Sequence, residues 1–229
     1  MADTIAVYSL LHYLTEVEGF TWRNQDYTAN KIVHAAKGDP IKGYFEVVIV
    51  EDESRVRRRF DQKNSEEFIP ILTGTVATRL GDVVDGNFAI VPIPNSDATV
   101  TRSDQFRTLD HATRIASAIG SRAIAVPALR WKKEKISARK GGSRDPQVHY
   151  ENLRVVQKLD LPVVIFDDVM TTGSQMIAAC RRLQKAGAHL HCGVVVGRAT
   201  KEQKERMISW SDEEVFVADR PIDWDAIFS

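Results

Sequence analysis

The sequence predicts an α/β fold in which a mainly parallel central sheet is flanked by helices. Three short, continuously apolar runs, 88–94, 163–166 and 192–196, are typical of strands that are covered on both faces. Runs with apolar residues at helical spacing follow the first two strands, at 109–119 and 175–187. Strands that alternate with helices indicate a parallel sheet, and 229 residues that are 43% hydrophobic can bury a sizeable core.

The most informative stretch is 163–175. Its apolar strand ends in two adjacent carboxylates, Asp167 and Asp168, and a cluster of hydroxyl groups around Gly173 then precedes a helix. Unpaired backbone N–H groups and the helix dipole favour an anion at such a helix start, and glycine lets the backbone approach it closely. A phosphate monoester fits this place, while a pair of sugar hydroxyls or a hydrated divalent cation suits the two acids. The pattern therefore indicates a sugar phosphate.

An ordinary buried strand followed by a capped helix is the alternative interpretation. It accounts for Thr171, Thr172 and Ser174 as capping residues. It does not account for two adjacent acids at the end of the strand, so the sugar phosphate is the stronger hypothesis.

Residues 163–174 resemble the signature of the type I phosphoribosyltransferase family, which has four apolar residues, two acids, two variable apolar residues and a Thr-Thr-Gly-like loop. The resemblance implies that Asp167 and Asp168 hold the ribose hydroxyls of phosphoribosyl pyrophosphate. It implies a Mg²⁺ ion bound through phosphoribosyl pyrophosphate, and a direct contact of the ion with Asp167 and Asp168 is left open. The loop that would hold the 5′-phosphate comprises Thr171, Thr172, Gly173, Ser174 and Gln175. Gln175 departs from the Thr or Ser that the family usually has, so one hydroxyl donor is lost.

The turn after the strand at 88–94 is the second expected part of the site. In the family this turn cradles the pyrophosphate, and residues 91–94 look like the same strand in competence-protein-F-like members, although 103–107 depart from that branch. Ligands of open α/β sheets bind at the carboxyl ends of strands, so the turn is expected to face Asp167. The implied pyrophosphate contacts are Asn95, Ser96 and Arg102.

A strand predicted at 123–129 leads into a long basic loop at 130–145 with a Gly-Gly hinge. Loops of this length are usually functional or disordered, and family members carry a flexible loop here that closes over the substrate. Closure would bring positive charge to the pyrophosphate. The implied contacts are Lys133, Lys135, Arg139, Lys140 and Arg144. Solvated charge on an exposed loop is the alternative.

The N-terminal part, 1–85, is predicted to form a hood or cap, and 86–229 the phosphoribosyltransferase-like core. An apolar stripe predicts a helix over 3–17. A buried-type strand is expected over 44–50, and a helix with a capping-box-like start over 65–80.

Charge is locally balanced around Arg55, Arg57, Arg58 and Arg59, because acids flank this run. A solvated surface loop is therefore expected, and a contact with phosphate or nucleic acid is the alternative.

The C-terminal part is expected to hold an amphipathic helix over 201–210 and a short strand over 215–218. The apolar tail with Trp224, Ile227 and Phe228 would dock on the body of the protein or on a second subunit, which makes a homodimer one expected assembly.

The overall composition restricts the partners. Thirty-one basic and 31 acidic residues give a formal net charge of zero, so nothing global indicates nucleic acid or an anionic membrane. Cys180 and Cys192 form no CxxC pattern, and the absence of an N-terminal signal and of a long apolar span predicts a cytoplasmic protein. The implied partners are phosphoribosyl pyrophosphate or a nucleotide monophosphate, with an unidentified acceptor.

Three functional hypotheses follow. The first is a Mg²⁺-dependent phosphoribosyltransferase that releases pyrophosphate. The second is a non-catalytic regulator that binds phosphoribosyl pyrophosphate or a nucleotide, or an accessory protein for nucleic-acid processing, since a fold alone does not establish turnover. The third is a hydrolase with the same phosphate cradle, and the lack of Walker-A or GxGxxG patterns argues against its commoner forms.

Overall fold

A computed structural model describes residues 3–16, 19, 21–102, 105–136 and 141–218. Strands and helices alternate over most of this length. The strands are β1 (Thr4–Leu14), β2 (Tyr44–Glu51), β3 (Ser54–Asp61), β4 (Phe88–Pro92), β5 (Ala123–Ala125), β6 (Leu129–Trp131), β7 (Leu153–Val155), β8 (Val163–Met170), β9 (Leu190–Thr200) and β10 (Ile208–Phe216). The α-helices are α1 (Asn24–Lys37), α2 (Phe68–Val83), α3 (Arg107–Ile119), α4 (Pro146–Asn152) and α5 (Ser174–Lys185).

The central sheet has six strands in the order β10-β1-β9-β8-β4-β5. Every neighbouring pair is parallel except β1 and β10, which are antiparallel. The predicted α/β class with a mainly parallel sheet is confirmed. Two short hairpins, β2-β3 and β6-β7, lie outside the main sheet.

Strand β8 shows why the central strands are continuously apolar. Val164 and Phe166 pack in the core cluster that also contains residues of α1, α2 and α3. Val163 and Ile165 pack in the other cluster, with residues of α5, β6 and β7. Because successive side chains of a strand point to opposite faces, a strand between two helical layers needs apolar residues at every position.

The predicted helix over 3–17 is wrong, because residues 4–14 form β1 in the middle of the sheet. Ile5, Val7 and Leu11 are buried at the two-residue spacing of a strand. The backbone of β1 pairs with β9 on one side and with β10 on the other. Pairing on both sides satisfies the backbone hydrogen bonds, and this outweighs a local apolar stripe at helical spacing.

The predicted helix over 201–210 is also wrong. Residues 208–216 form β10, which runs antiparallel to β1 at one edge of the sheet. β10 can pair at this edge only after β1 has joined the sheet. No sequence pattern near residue 208 could therefore indicate a strand there. The predicted strand over 215–218 corresponds to the end of β10.

The arginines at 55–59 lie on β3 and not in a surface loop. Strands β2 and β3 form a regular antiparallel hairpin from Tyr44↔Asp61 to Glu51↔Ser54. Its two turn residues, Asp52 and Glu53, both have positive φ, as a tight two-residue turn requires. Asp-Glu lacks the glycine that usually marks such a turn, which explains why the sequence did not indicate a hairpin.

Helices α2, α3 and α5 lie near their predicted positions. Helix α1 ends at Gly38, whose left-handed φ of 63° suits a helix C-terminus. Helix α2 begins at Phe68 after a 3-10 turn over Ser65–Glu67. The Asn64 side chain does not cap this turn, since it accepts a hydrogen bond from the Asp61 backbone instead.

The division into 1–85 and 86–229 stays a prediction. Within the first of these ranges, β1 is part of the central sheet, whereas β2 and β3 form a separate hairpin. Among the described residues, no helix combines the length and the apolar character needed to cross a membrane. The C-terminal tail with Trp224, Ile227 and Phe228 lies outside the described residues.

Candidate functional site

The two acids lie near the carboxyl end of β8. The strand continues through Asp167 and Asp168 to Met170, four residues beyond the expected end at Phe166, because it stays paired with β9 up to this point. Both acids are largely buried, with exposed fractions of 9% and 7%. Their positions on consecutive strand residues direct their side chains to opposite faces of the sheet.

Arg107 holds Asp168 on the side of the sheet that faces α1 and α3. Its Nε and Nη2 both donate to Oδ2 of Asp168, the first over 3.2 Å. Arg107 is the first residue of α3, so the helix that follows the β4 turn presents a cation to the acid pair. The sequence offered a signal here, an arginine at a helix start beside the expected pyrophosphate turn, but no role was predicted for it.

His111 lies one helical turn after Arg107 and is buried. Its Nε2 donates to the carbonyl oxygen of Ala36 over 2.9 Å, and its ring meets that of Phe166 edge-on. Burial lowers the pKa of His111 below its ordinary value, so the neutral ring is favoured. The end of α1 is therefore fixed next to the Asp168 side of the site.

Asp167 faces the opposite side of the sheet, and its pKa is shifted from the usual value. Its Oδ1 accepts a hydrogen bond from the backbone N–H of Asp168 over 2.9 Å. Burial raises the pKa of Asp167 well above its usual value, and the charge of Asp168 raises it further. The charge of Lys135 opposes both effects.

Among the described residues of the basic loop, Lys135 is one whose charge interacts with the acid pair. Its backbone N–H donates to the carbonyl oxygen of Ser96 over 2.8 Å, and its Nζ lies 5.3 Å from the centre of the Trp131 ring. Burial lowers the pKa of Lys135, whereas the charges of Asp167 and Asp168 raise it. Backbone pairing with the β4 turn thus brings one loop lysine close to both carboxylates.

The expected phosphate loop joins β8 to α5. Gly173 has a φ of 79°, a left-handed value that glycine adopts without strain, and α5 begins at the next residue. The Thr172 hydroxyl donates to Ser174 Oγ over 3.1 Å. A small cavity is lined by Asp167, Val169, Met170, Thr171, Gly173, Ser174, Gln175 and Met176. The loop and one of the two acids therefore face the same space.

Arg198 on β9 contacts this loop. The sequence did not indicate this contact. Its Nη1 donates to the carbonyl oxygen of Thr171. Its Nε and Nη2 donate to the carboxylate of Glu213 on β10 over 2.5 and 3.2 Å. The loop is therefore joined to β9, the neighbour of β8, and through Glu213 to β10 at the edge of the sheet.

The turn after β4 is held by contacts with α3, β6 and the basic loop. Asn95 Oδ1 accepts from the backbone N–H of Thr108 over 3.3 Å, and Trp131 Nε1 donates to the carbonyl oxygen of Pro94 over 3.0 Å. Arg102 forms an exposed ion pair of 2.6 Å with Glu134. These contacts join the turn to α3 and to the start of the basic loop.

Two further loop candidates, Lys133 and Arg144, lie at the surface of the described structure. Lys133 is exposed, and its backbone pairs with the Asn152 side chain. Arg144 is exposed as well. Arg139 and Lys140 lie outside the described residues.

The donor set of the site suits Mg²⁺ bound together with a substrate. Among the described residues, no three or more His, Cys, Asp or Glu are grouped as metal ligands. Mg²⁺ keeps several waters and is commonly held by one or two carboxylates plus substrate phosphates. Asp167 and Asp168 can supply those carboxylates.

Comparison with known proteins gives similarities of fold alone. No family model matches the sequence, and no curated protein matches it. Similar solved structures include adenine phosphoribosyltransferase from Saccharomyces cerevisiae, with 12% identity, coverage of 74% of this chain and 89% of that one, and a TM-score of 0.41. Orotate phosphoribosyltransferase from Aeropyrum pernix has 15% identity, coverage of 76% and 83%, and a TM-score of 0.35. Each of these is a phosphoribosyltransferase.

A third similar structure is a hypoxanthine phosphoribosyltransferase from Staphylococcus aureus, with 12% identity, coverage of 63% and 72%, and a TM-score of 0.38. These structures are of the class that the signature resembles. At such identities and TM-scores the likeness concerns strands and helices, so the chemistry has to be argued from the residues of this chain. The narrower resemblance to the competence-protein-F-like branch stays a prediction.

Proposed function

We propose that the chain is a Mg²⁺-dependent phosphoribosyltransferase that binds phosphoribosyl pyrophosphate and transfers the phosphoribosyl group to an unidentified acceptor. One observation carries the proposal. A buried pair of acids, Asp167 and Asp168, is joined directly to a glycine-centred helix start, and two cations, Lys135 and Arg107, lie at the acids. An acid pair suits a sugar diol, a helix start suits a phosphate, and nearby cations suit a pyrophosphate.

In the proposed complex, the loop over 171–175 holds the 5′-phosphate with its backbone N–H groups and hydroxyls. The ribose lies across the edge of the sheet at the carboxyl end of β8. There Asp167, which lines the same cavity as the loop, and Asp168 at the next residue accept hydrogen bonds from its 2′ and 3′ hydroxyls. The pyrophosphate lies toward the β4 turn, where Lys135 supplies positive charge. The location of Lys135, whose backbone is bonded to the carbonyl oxygen of Ser96, supports this orientation.

In the proposed reaction, a nucleophile of the acceptor forms a bond to C1 of the ribose as the bond from C1 to the pyrophosphate oxygen breaks. The electron pair of that bond leaves with the pyrophosphate, and the acceptor loses a proton. Positive charge develops on the ribose and negative charge on the leaving group. Asp167 and Asp168 stabilise the positive charge on the ribose, and Lys135 stabilises the negative charge on the leaving group. The protein therefore catalyses the reaction mainly by positioning the reactants and by electrostatic stabilisation.

Mg²⁺ held by the substrate phosphates and by Asp167 or Asp168 would offset charge on the leaving group. Asp167 binds the ion or the ribose best as a carboxylate. Because the raised pKa of Asp167 favours its protonated form in the free protein, binding is expected to release a proton from it.

The donor assignment is tested by titrating the protein with phosphoribosyl pyrophosphate in the presence of MgCl₂, by calorimetry and thermal shift. We expect saturable binding that weakens at least about tenfold in Asp167→Asn and Asp168→Asn, since each loses a hydrogen bond to a charged acceptor worth about 1.5–3 kcal/mol. Asp160→Asn is the matched control, because Asp160 is exposed and pairs only with exposed Lys158 among the contacts described. The assignment fails if the wild type shows neither heat nor a thermal shift.

Turnover is tested separately by measuring pyrophosphate release with a panel of nucleobases and small amines. Release with at least one acceptor, abolished in Asp167→Asn, supports the transferase. Binding without release across the whole panel would instead favour the regulator that senses phosphoribosyl pyrophosphate or a nucleotide.

A further inference from the structure

A groove of the described structure lies away from the acid pair, between α1 and the β2-β3 hairpin. Its volume is about 470 Å³. One face of α1 forms one wall and the start of β2 with Arg57 forms the other. The lining residues are Asn24, Tyr27, Thr28, Lys31, Tyr44, Phe45, Glu46, Val47, Val48 and Arg57. None of the residues of the proposed transferase site lies in this groove.

Two tyrosines in the groove are unusually open for aromatic side chains. Tyr27 on α1 is 50% exposed and Tyr44 on β2 is 46% exposed. The Nζ of Lys31 lies between them, 6.0 Å from one ring centre and 5.9 Å from the other, and donates to the carbonyl oxygen of Tyr44 over 2.7 Å. The guanidinium of Arg59 lies 3.7 Å from the Tyr44 ring centre. Aromatic rings and cations thus alternate from Tyr27 and Lys31 to Tyr44 and Arg59, the last of which lies beside the groove lining.

The hairpin extends this pattern beyond the groove. Arg55, Arg57 and Arg59 occupy alternate positions of β3, so their side chains share its outer face, and each is exposed. Their spacing is about 6.8 Å along the strand. Across from Arg57 and Arg55 lie Val48 and Val50, which are 59% and 72% exposed. Positive charge therefore recurs along one face at a regular interval, beside apolar surface.

The charge of this face is positive although the whole chain is neutral. Four cations, Lys31, Arg55, Arg57 and Arg59, share it with two carboxylates, Glu46 and Asp61. Arg57 pairs with Glu46 over 3.5 Å, and three cations and one carboxylate remain beside this pair. Arg58 points to the other face of the hairpin, where it pairs with Glu51 over 2.5 Å. A polyanion would therefore meet a favourable field on one face of the hairpin only.

We infer that this groove and the outer face of the hairpin bind single-stranded nucleic acid. Lys31, Arg57 and Arg55 contact successive phosphates, and unstacked bases pack on Tyr27 and on the apolar surface at Val48. Alternating cations and exposed aromatic rings are the means by which proteins hold single strands without reading their sequence. A duplex keeps its base faces stacked inside, so it can use the cations but not the rings.

The test measures the fluorescence anisotropy of labelled 12-residue oligo(dT) and oligo(rU) titrated with the full chain at low salt. We expect saturable binding to at least one of the two and stronger binding than to a duplex of equal length. Arg57→Gln should weaken the affinity about threefold to tenfold. It should also make the slope of log association constant against log salt concentration less steep by about 0.7, the value for one phosphate contact with a single strand. Tyr27→Leu should weaken it at least about fivefold through loss of stacking.

Arg58→Gln is the matched control, because it makes the same substitution at the next residue but on the opposite face of the hairpin. It should change the affinity less than about twofold. Asp167→Asn should bind the oligonucleotides like the wild type, which separates this inference from the proposed transferase.

Three results would overturn the inference. Equal losses in Arg57→Gln and Arg58→Gln would mean a diffuse charge effect. Equal binding of duplex and single strand would mean that the rings are not used. Competition by a mononucleotide as strong as that by the oligonucleotide would mean that the groove takes a small nucleotide instead.

Discussion

At the scale of single residues, the acid pair combines a functional geometry with a cost in stability. Asp167 is buried on β8, and both its burial and the charge of Asp168 raise its pKa. A carboxyl whose pKa is higher in the folded state than in the unfolded state stabilises the fold fully only below its unfolded value. That stability is lost as the pH rises from the ordinary carboxyl range through the raised folded value.

We therefore predict that Asp167→Asn stabilises the ligand-free protein by about 1–3 kcal/mol at pH 8 and less at pH 5, because a buried charge is replaced by a neutral amide of the same shape. The amide oxygen can still accept the hydrogen bond from the N–H of Asp168. Thermal unfolding of both proteins between pH 5 and pH 8 measures this. Asp160→Asn should follow the wild type throughout, and a wild-type midpoint that does not fall relative to Asp167→Asn would contradict the argument.

At the scale of elements, helix α1, which forms one wall of the groove, packs closely on β9, the strand whose Arg198 contacts the loop over 171–175. Gly197 of β9 faces α1, and a Cβ at this position would lie 2.7 Å from Cγ2 of Val33 and 3.3 Å from the Tyr13 ring. Valine has few rotamers with which to move away. The absence of a side chain at Gly197 therefore sets the distance between α1 and the sheet.

We predict that Gly197→Ala destabilises the protein by about 1–3 kcal/mol, since an extra methyl group in a packed core forces its neighbours to shift. Gly74→Ala is a matched control within α2, where a Cβ would meet nothing within 4 Å. It should stabilise the protein by about 0.5–1 kcal/mol, the difference between glycine and alanine in a helix. Chemical denaturation at equilibrium gives both values. Similar effects of the two substitutions on the free energy of unfolding would show that α1 can move away from the sheet to make room for the added methyl group.

At the scale of the whole molecule, the charge is balanced overall but unevenly distributed. The formal net charge is zero and the sequence pI is about 7.0. The outer face of β3 is nevertheless positive, and the acid pair is concentrated at the end of β8. Because the net charge is near zero at neutral pH, electrostatic repulsion between two molecules is small. Patches of opposite charge on the two molecules can then attract each other.

We predict that the solubility of the protein is lowest near pH 7 and rises by pH 8.5, because net charge keeps protein molecules apart. Static light scattering across this pH range measures the attraction. Lys42→Glu, at an exposed position, changes the net charge by two and should move the minimum to lower pH. A minimum that stays in place in this variant would mean that apolar surface and not charge causes the association.

Much of the site follows from the sequence, because its parts are contiguous. The apolar strand, the two acids, Gly173 and the start of α5 lie within 13 residues, so a local pattern specifies both their structure and their order. The strand at β4 is equally clear, since it is buried on both faces. The basic loop was predicted as a group, but only the fold selects Lys135 from it, through backbone pairing with Ser96.

The sequence by itself determined the class of fold, the strands β4, β8 and β9, and the contiguous order of the two acids, Gly173 and the start of α5. Only the tertiary structure decided that 4–14 and 208–216 are strands, since each depends on a partner more than 170 residues away along the chain. The same holds for Arg107 at Asp168 and for Arg198 at Thr171. Periodicity and propensity describe neighbours along the chain, whereas the hydrogen bonds and charges that complete this site join residues that only folding brings together.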